Sequence, residues 1–306
     1  MDDSRHPIIG DFLEYIKNVR RYSSHTIRAY CCDLDDYYSF CKSFDTDQEF
    51  TVLDHTAIQS YLQKLSRNGL SAKTLARRLA SIKSLYKYML IKNLVDVNIS
   101  RFVKTPKMNQ ELPHYLSLKE AKDILQLPTG HDEKALRERL ILELFYATGI
   151  RISELIYIQM NDIRMEEGVI HILGKGSKER IVMIGSEAKE ALRNYLALMS
   201  EKGNFEHLQY LFPALRSGKN GKKGTISPRT VFNIAKKYLK KVSNDEKLSP
   251  HSLRHTFATH MLDNGADLIA IKDMLGHSSL SSTQIYTHLQ PEKLKKIYKQ
   301  AHPHGK

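Results

Sequence analysis

Apolar side chains recur every three to four residues over most of this 306-residue chain, and this spacing restricts it to a mainly helical fold. Serine, aspartate or proline precedes many of these runs, as expected at the first turn of a helix. Strand-like alternation is confined to short segments at 162–165, 169–173 and 180–184, with glycine in the turns between them. We therefore predict a mainly α protein with one small three-stranded antiparallel sheet.

The helical periodicity divides into two regions. Residues 1–97 contain four predicted helices, of which the second is capped by Ser24 and the fourth by Ser71. The periodicity lapses over residues 98–113, which contain two prolines and several basic residues and which we interpret as a linker. Residues 114–306 then form the second domain.

Glycine and serine residues mark the predicted ends and beginnings of helices in the second domain. Gly149 follows a long apolar helix at 133–148, and Ser153 opens a shorter one. The last predicted helix, 291–301, is amphipathic and follows every candidate catalytic residue, so it is available to bind a partner.

The formal net charge of +13 favours a polyanionic partner, although a lysine-rich protein without one has the same composition. Aspartates cluster on the second helix and cations on the fourth, so we expect one acidic and one basic side in the first domain. A helix at 227–241 is our candidate for the DNA groove. The candidate DNA-binding residues are Lys73, Arg77, Arg78, Lys83, Arg229 and Lys236.

The sequence favours a cytoplasmic protein without membrane association. No apolar run of the signal-peptide type is visible near residue 1, and the longest apolar stretch, 140–150, is too short to span a bilayer. Cys31, Cys32 and Cys41 lie close together without metal-ligand spacing, which is typical of reduced thiols. We therefore expect neither a disulfide nor a zinc site.

The most informative segment is 248–289, in which three short predicted helices each bring a polar group toward a common site. The first carries His251 and Arg254 on one face of one turn. The second ends at a glycine and delivers His277, and the third carries Tyr286. These groups either arrange a core or hold an anion.

Two familiar motifs do not account for these residues. The turn at 174–178, Gly-Lys-Gly-Ser-Lys, lacks both the glycine spacing and the following helix of a phosphate-binding loop. The histidines at 251–260 have no carboxylate or cysteine at metal-ligand spacing. A set of cations and one phenol remains.

Such a set suits a phosphodiester, because the planar fork of arginine binds two phosphate oxygens without a metal ion. A tyrosine can attack the phosphorus if a base such as His251 removes its proton. A lysine on a hairpin tip can protonate the leaving 5′ oxygen. The candidate catalytic residues are Arg151, Lys175, His251, Arg254, His277 and Tyr286.

The segments that carry these residues resemble the tyrosine recombinases, also called the phage integrase family. They are Ala147-Thr-Gly-Ile-Arg-Ile-Ser-Glu-Leu155, Gly174-Lys-Gly-Ser-Lys-Glu-Arg180, His251-Ser-Leu-Arg254, Leu275-Gly-His277 and Tyr286. The resemblance covers nearly the whole chain, and the compact length and the C-terminal residues are similar to the XerC/XerD branch. It implies an N-terminal four-helix core-binding domain of the SAM-like type and a mostly α catalytic domain.

The resemblance implies a site-specific DNA recombinase that forms a 3′-phosphotyrosyl bond and needs no cofactor or metal ion. The implied roles are nucleophile for Tyr286, phosphate clamp for Arg151 and Arg254 with help from His277, general acid for Lys175, and acid or base for His251. Glu154 is implied to support an arginine.

The implied partners are double-stranded DNA and further copies of the chain. Four protomers would join two DNA sites through a Holliday junction, with residues 291–301 of each packed into a neighbour. The most specific implied function is the resolution of chromosome dimers at a dif-type site. A mobile-element integrase or resolvase with the same chemistry and a catalytically silent DNA-binding regulator are the alternatives. A paralogous recombinase and a septal DNA translocase stay open as partners.

Overall fold

A computed structural model describes residues 6–44, 52–107, 113–174, 179–203, 208–214, 224–276 and 291–305. The chain divides into two compact units, Met1–Glu111 and Leu112–Lys306. Across the described part of the chain, no helix combines the length and the apolar character needed to cross a membrane.

The N-terminal unit contains the four helices that the periodicity predicted. They are α1 (Pro7–Asn18), α2 (Ser24–Phe44), α3 (His55–Arg67) and α4 (Ala72–Ile91). The Ser71 side chain accepts a hydrogen bond from the Thr74 N–H and so caps α4 as predicted. The cap predicted at Ser24 is displaced by one residue, because Ser23 Oγ accepts from the Thr26 N–H at 3.2 Å.

Two acidic residues of α2 pair with two basic residues of α4, so these four charges face each other and do not lie on opposite sides of the unit. Asp33 is 2% exposed and forms an ion pair with Arg77. Asp36 forms an ion pair with Arg78. A carboxylate this well buried needs a cation or a hydrogen-bond donor beside it, and the arginines of the next helix supply the cation.

The beginning of the predicted linker is folded onto this unit. Ile99–Phe102 is a 3-10 turn, and Val103 after it is 3% exposed within the apolar core of the four helices. Apolar burial of this kind extends the folded part of the N-terminal unit past residue 97.

The C-terminal unit is mostly helical with one small sheet. Its helices are α5 (Leu118–Gln126), α6 (Glu133–Thr148), α7 (Ile152–Leu155), α8 (Ser186–Glu201), α9 (Pro228–Val242), α10 (Pro250–Asp263), α11 (Leu268–Leu275) and α12 (Pro291–Ala301). Its strands are β1 (Ile163–Arg164), β2 (Val169–Leu173) and β3 (Glu179–Met183). They pair antiparallel in the order β1-β2-β3, with His171 opposite Ile181. The fold class predicted from the sequence is confirmed.

Helix α6 is the centre of this unit. Its residues from Leu140 to Thr148 are all buried, and it packs against α8, α10, α5 and α9. Gly149 ends it with a left-handed φ of 58°, as predicted. The next helix begins at Ile152, so Ser153 lies inside α7 and is not its cap.

The last helix has the predicted bounds, but in this chain its apolar face is covered by its own unit. Tyr298 and Ala301 are 3% and 2% exposed and share an apolar cluster with Phe257 and Met261. The sequence could not show this partner, because amphipathicity reports an apolar face without saying which chain covers it. Exchange of α12 between protomers stays a prediction.

Candidate active site

Gly149 fixes where Arg151 enters the site. A Cβ at Gly149 would lie 2.7 Å from both Leu275 Cδ2 and Phe257 Cδ1. Only glycine therefore allows these side chains of α11 and α10 to pack so closely against the end of α6. Arg151 follows two residues later as the extended N-cap residue of α7, with φ −80° and ψ 152°. The end of α6 therefore delivers Arg151 to the C-terminus of α11.

Arg254 reaches the same place from α10. It is 7% exposed, and its guanidinium donates to the carbonyl of Gly149 and, at 2.6 Å, to the carbonyl of Leu275. Arg151 Nη1 donates to the Leu275 carbonyl at 3.4 Å. The two arginines predicted to clamp a phosphate thus share one acceptor, although Arg151 precedes α7 and Arg254 lies on α10.

Glu154 lies behind the arginines and is 7% exposed. Its carboxylate accepts from the Arg151 N–H and from Arg151 Nη1, both at 2.9 Å. It also accepts two hydrogen bonds from Arg180, at 2.9 and 2.7 Å. Burial alone would raise the pKa of the Glu154 carboxyl, but the hydrogen bonds from Arg180 and Arg151 outweigh burial and lower that pKa. Glu154 is therefore ionised at neutral pH.

We call Arg151, Arg180 and Arg254 the arginine cluster. Burial, and then the positive charges of Arg151 and Arg180, lower the pKa of Arg254 from 12.5 to about 10, against the opposing effect of Glu154. Arg254 remains protonated at neutral pH, and Glu154 accepts hydrogen bonds from the other two arginines of the cluster. An anion bound among these cations would relieve their mutual repulsion.

His251 lies where the sequence predicted, and its role as acid or base stays a prediction. It lies on the first turn of α10, one turn before Arg254, and it is exposed. Helix α11 ends at Leu275, and Gly276 adopts a left-handed φ of 65° as expected for the residue before His277. Lys175, His277 and Tyr286, and the predicted helix at 279–288, lie outside the described residues.

Some candidate DNA-binding residues have side chains held by contacts within their own unit, and others are described only by their exposure. Lys73 is exposed and Lys83 half-buried on α4, whereas Arg77 and Arg78 are held in the ion pairs described above. Lys236 Nζ donates at 2.5 Å to the carbonyl of Glu246 and at 2.6 Å to that of Leu248, so it closes the loop before α10. The Arg229 guanidinium lies 5.8 Å from the centre of the Phe232 ring. The sequence did not reveal these internal contacts, because it shows charge but not partners.

Sequence reasoning missed Arg180. This arginine stands in the same segment as Lys175, but we interpreted it only as the start of the third strand. The sequence did contain an indication of its role, because a cation close to candidate catalytic residues often pairs with a buried carboxylate at the same site.

His260, which the metal hypothesis had considered, is a core residue. Its Nδ1 is 3.0 Å from the Tyr146 hydroxyl, and its Nε2 is 3.0 Å from the Leu116 carbonyl. Both ring nitrogens are therefore engaged by protein groups.

A mostly helical fold with one small sheet and a buried cluster of arginines suits an enzyme that acts on a phosphodiester. Residues 114–293 match the phage integrase family, and residues 9–93 match the phage integrase N-terminal SAM-like domain. The chain belongs to the phage integrase family, and within it to the Xer-like tyrosine recombinases.

Similar proteins support this assignment over the full length. The chain is 38% identical to the tyrosine recombinase XerC of Thermodesulfovibrio yellowstonii, covering 97% of each protein. It is 36% identical to the tyrosine recombinase XerD of Halalkalibacterium halodurans, covering 96% of this chain and 97% of that one. The fold also matches the XerH site-specific recombinase bound to a palindromic difH substrate, with a TM-score of 0.67, 23% identity, and coverage of 94% and 83% of the two chains.

Proposed function

We propose that this recombinase cuts DNA by transferring a phosphodiester to Tyr286. The phenolic oxygen forms a bond to phosphorus while the bond from phosphorus to the 5′ oxygen breaks. His251 takes the phenolic proton, and Lys175 supplies a proton to the departing 5′ oxygen. The free 5′-hydroxyl of a second duplex then attacks the phosphotyrosine, which restores the phosphodiester and the enzyme. Bond energy is conserved, so the cycle requires no cofactor.

The observation that carries this proposal is the convergence of Arg151 and Arg254 on the Leu275 carbonyl, two residues before His277. A transferring phosphoryl group concentrates negative charge on its non-bridging oxygens. Two guanidiniums a short distance apart can each donate to those oxygens. Glu154 holds Arg151 through a hydrogen bond from Nη1, and the Gly149 carbonyl holds Arg254.

We further propose that the protein acts as a tetramer on two double-stranded DNA sites and resolves chromosome dimers at a dif-type site. Related proteins support DNA binding and self-association: XerH was solved on difH DNA, and a lambda integrase dimer was solved on a COC′ core site. A cytoplasmic location stays our prediction, and it fits a protein that acts on DNA. A paralogous recombinase and a septal DNA translocase are candidate partners that fit the same role.

Covalent capture tests the proposed chemistry. Wild-type protein and Tyr286→Phe are incubated with a nicked duplex carrying the candidate dif-type site of the host, and adducts are separated under denaturing conditions. We expect an adduct with wild type and none with Tyr286→Phe, while both bind the duplex equally. Tyr157→Phe is the matched control, because Tyr157 is 58% exposed in the same unit and should leave capture unchanged.

Two results would overturn this scheme. A persistent adduct in Tyr286→Phe would move the nucleophile to another residue. Loss of capture in EDTA, restored by Mg²⁺, would show that the reaction depends on a metal ion.

A further inference from the structure

Arg180, on strand β3, forms three hydrogen bonds with the residues around the arginine cluster. Its side chain is 11% exposed. Nη1 and Nη2 each donate to one oxygen of Glu154, at 2.9 and 2.7 Å, in the bidentate geometry that only arginine provides. Nε donates to the Met274 carbonyl at 3.0 Å. One guanidinium therefore holds both the carboxylate and the last turn of α11.

Glu154 divides its hydrogen bonds equally between two arginines. Two come from Arg180, and two come from Arg151, through its N–H and its Nη1. The carboxylate is thus fixed from both sides, and the direction in which Arg151 points depends on where Arg180 holds that carboxylate. Removing Arg180 takes away two of these hydrogen bonds and leaves the buried carboxylate held by Arg151 alone among the two arginines.

Gly276 brings Arg180 against the point where the chain leaves α11. A Cβ on Gly276 would lie 3.1 Å from Arg180 Cδ and 3.3 Å from its Nε and Nη1. The arginine side chain therefore packs directly on the Gly276 backbone. Since Met274 and Leu275 provide the carbonyls that hold the arginine cluster, Arg180 fixes the acceptors as well as the carboxylate.

We propose that Arg180 is a positioning residue for phosphoryl transfer, which sets Arg151 and Arg254 in register through Glu154 and the C-terminal carbonyls of α11. This inference rests on the proposed function. Arg180 does not touch the phosphate; it acts through the two arginines that do. Misplacement of a positioning contact by about 1 Å can cost about a hundredfold in rate without loss of binding.

The test is single-turnover cleavage of the nicked dif-type duplex by wild type, Arg180→Gln and Arg180→Lys at saturating protein. We expect Arg180→Gln to cleave about a hundredfold more slowly than wild type with an unchanged Kd for the duplex. Arg180→Lys keeps the charge but lacks the bidentate fork, so its rate should lie between the two. Arg164→Gln is the matched control, since Arg164 is an exposed arginine of the same sheet that donates to the Asn161 carbonyl.

A second substrate separates the two ways in which Arg180 could act. Replacing the bridging 5′ oxygen with sulfur gives a leaving group that needs no proton. A defect transmitted to the phosphate-binding arginines persists on the sulfur substrate, and this is the result we expect. Restoration of the wild-type rate by sulfur would overturn the proposal, because it would place the effect of Arg180 on the general acid.

The outcomes also separate this inference from the proposed function. If wild type forms no adduct on the oxygen substrate, the proposed function fails. If wild type and Arg164→Gln react and Arg180→Gln reacts equally fast, only the role of Arg180 fails. Should Arg180→Gln not fold, Arg180→Lys decides: a wild-type rate for that variant overturns the proposal, because lysine cannot form the two parallel bonds to Glu154.

Discussion

Arg151 and Arg254 donate to one acceptor, the carbonyl oxygen of Leu275, at 3.4 and 2.6 Å. That carbonyl belongs to the last turn of α11, where the backbone acceptors lack helical partners and the helix dipole is negative. The end of α11 therefore stabilises guanidinium groups that lie beside it. Arg180 donates to the preceding carbonyl, of Met274, so the whole arginine cluster is organised by one helix terminus.

Gly149 allows Phe257 and Leu275 to pack against the end of α6, so replacing it should lower the stability of the C-terminal unit. In Gly149→Ala the left-handed φ of 58° costs about 1–2 kcal/mol. The added Cβ, 2.7 Å from Phe257 and Leu275, costs about 1–3 kcal/mol more. We expect a loss of about 2–5 kcal/mol in the free energy of unfolding, measured by urea denaturation.

Gly203→Ala is the control for backbone strain alone. Gly203 has a φ of 67° and no atom within 4 Å of an added Cβ, so only the first cost of about 1–2 kcal/mol applies. Equal losses for the two variants would show that close packing at Gly149 is unimportant.

Local chemistry predicted the parts of the fold that depend on neighbouring residues in the chain. The cap at Ser71 and the helix end at Gly149 were predicted correctly, because capping and left-handed backbone are decided within a few residues. The pairing of Asp33 with Arg77 and the bond from Arg180 to Glu154 were not predicted. Each joins segments more than 25 residues apart, and only tertiary packing brings them together.

Charged residues of the N-terminal unit should separate into structural and DNA-binding groups. The Arg78 side chain is 20% exposed, bonds to the Tyr61 hydroxyl at 2.6 Å and pairs with Asp36. Arg78→Ala should therefore lower the free energy of unfolding by about 1.5–3 kcal/mol. Lys73 is exposed, so Lys73→Ala should change that free energy by no more than about 0.5 kcal/mol.

Lys73→Ala should change DNA binding although it leaves stability nearly unchanged. If Lys73 contacts a phosphate, Lys73→Ala reduces the slope of log affinity against log salt by about 0.9. Fluorescence anisotropy on a labelled duplex between about 50 and 200 mM salt measures that slope. An unchanged slope would remove Lys73 from the DNA-binding surface.

His302 should make the C-terminal unit sensitive to acid. Burial, reinforced by His304 and His260 and opposed by the Tyr146 carbonyl, lowers the pKa of His302 from 6.5 to about 3. Below pH 6.5 the unfolded chain takes up a proton that the folded chain does not, so stability is lost as the pH falls. The loss is about 1.4 kcal/mol per pH unit.

His302→Phe removes this titration and keeps the stacking on the Tyr298 ring, whose centre is 4.7 Å away. Between pH 7.5 and 5.5, wild type should lose about 1.4 kcal/mol more than His302→Phe in urea denaturation. The comparison is needed because Glu143 raises the pKa of His304, which contributes stability at acidic pH that is lost as the pH rises. Parallel pH profiles for wild type and His302→Phe would contradict this assignment.

Helix α12 should stabilise its own chain before any exchange with a neighbour. The Tyr298 ring is 3% exposed, stacks on His302 and lies in the cluster with Phe257. Removing such a ring costs about 3–5 kcal/mol, so Tyr298→Ala should lower the stability of the C-terminal unit by that amount at protein concentrations where sedimentation shows only monomer. Lys296→Ala, at an exposed position on the same helix, should cost no more than about 0.5 kcal/mol. If α12 is covered only by a neighbour, Tyr298→Ala will leave monomer stability unchanged and weaken association instead.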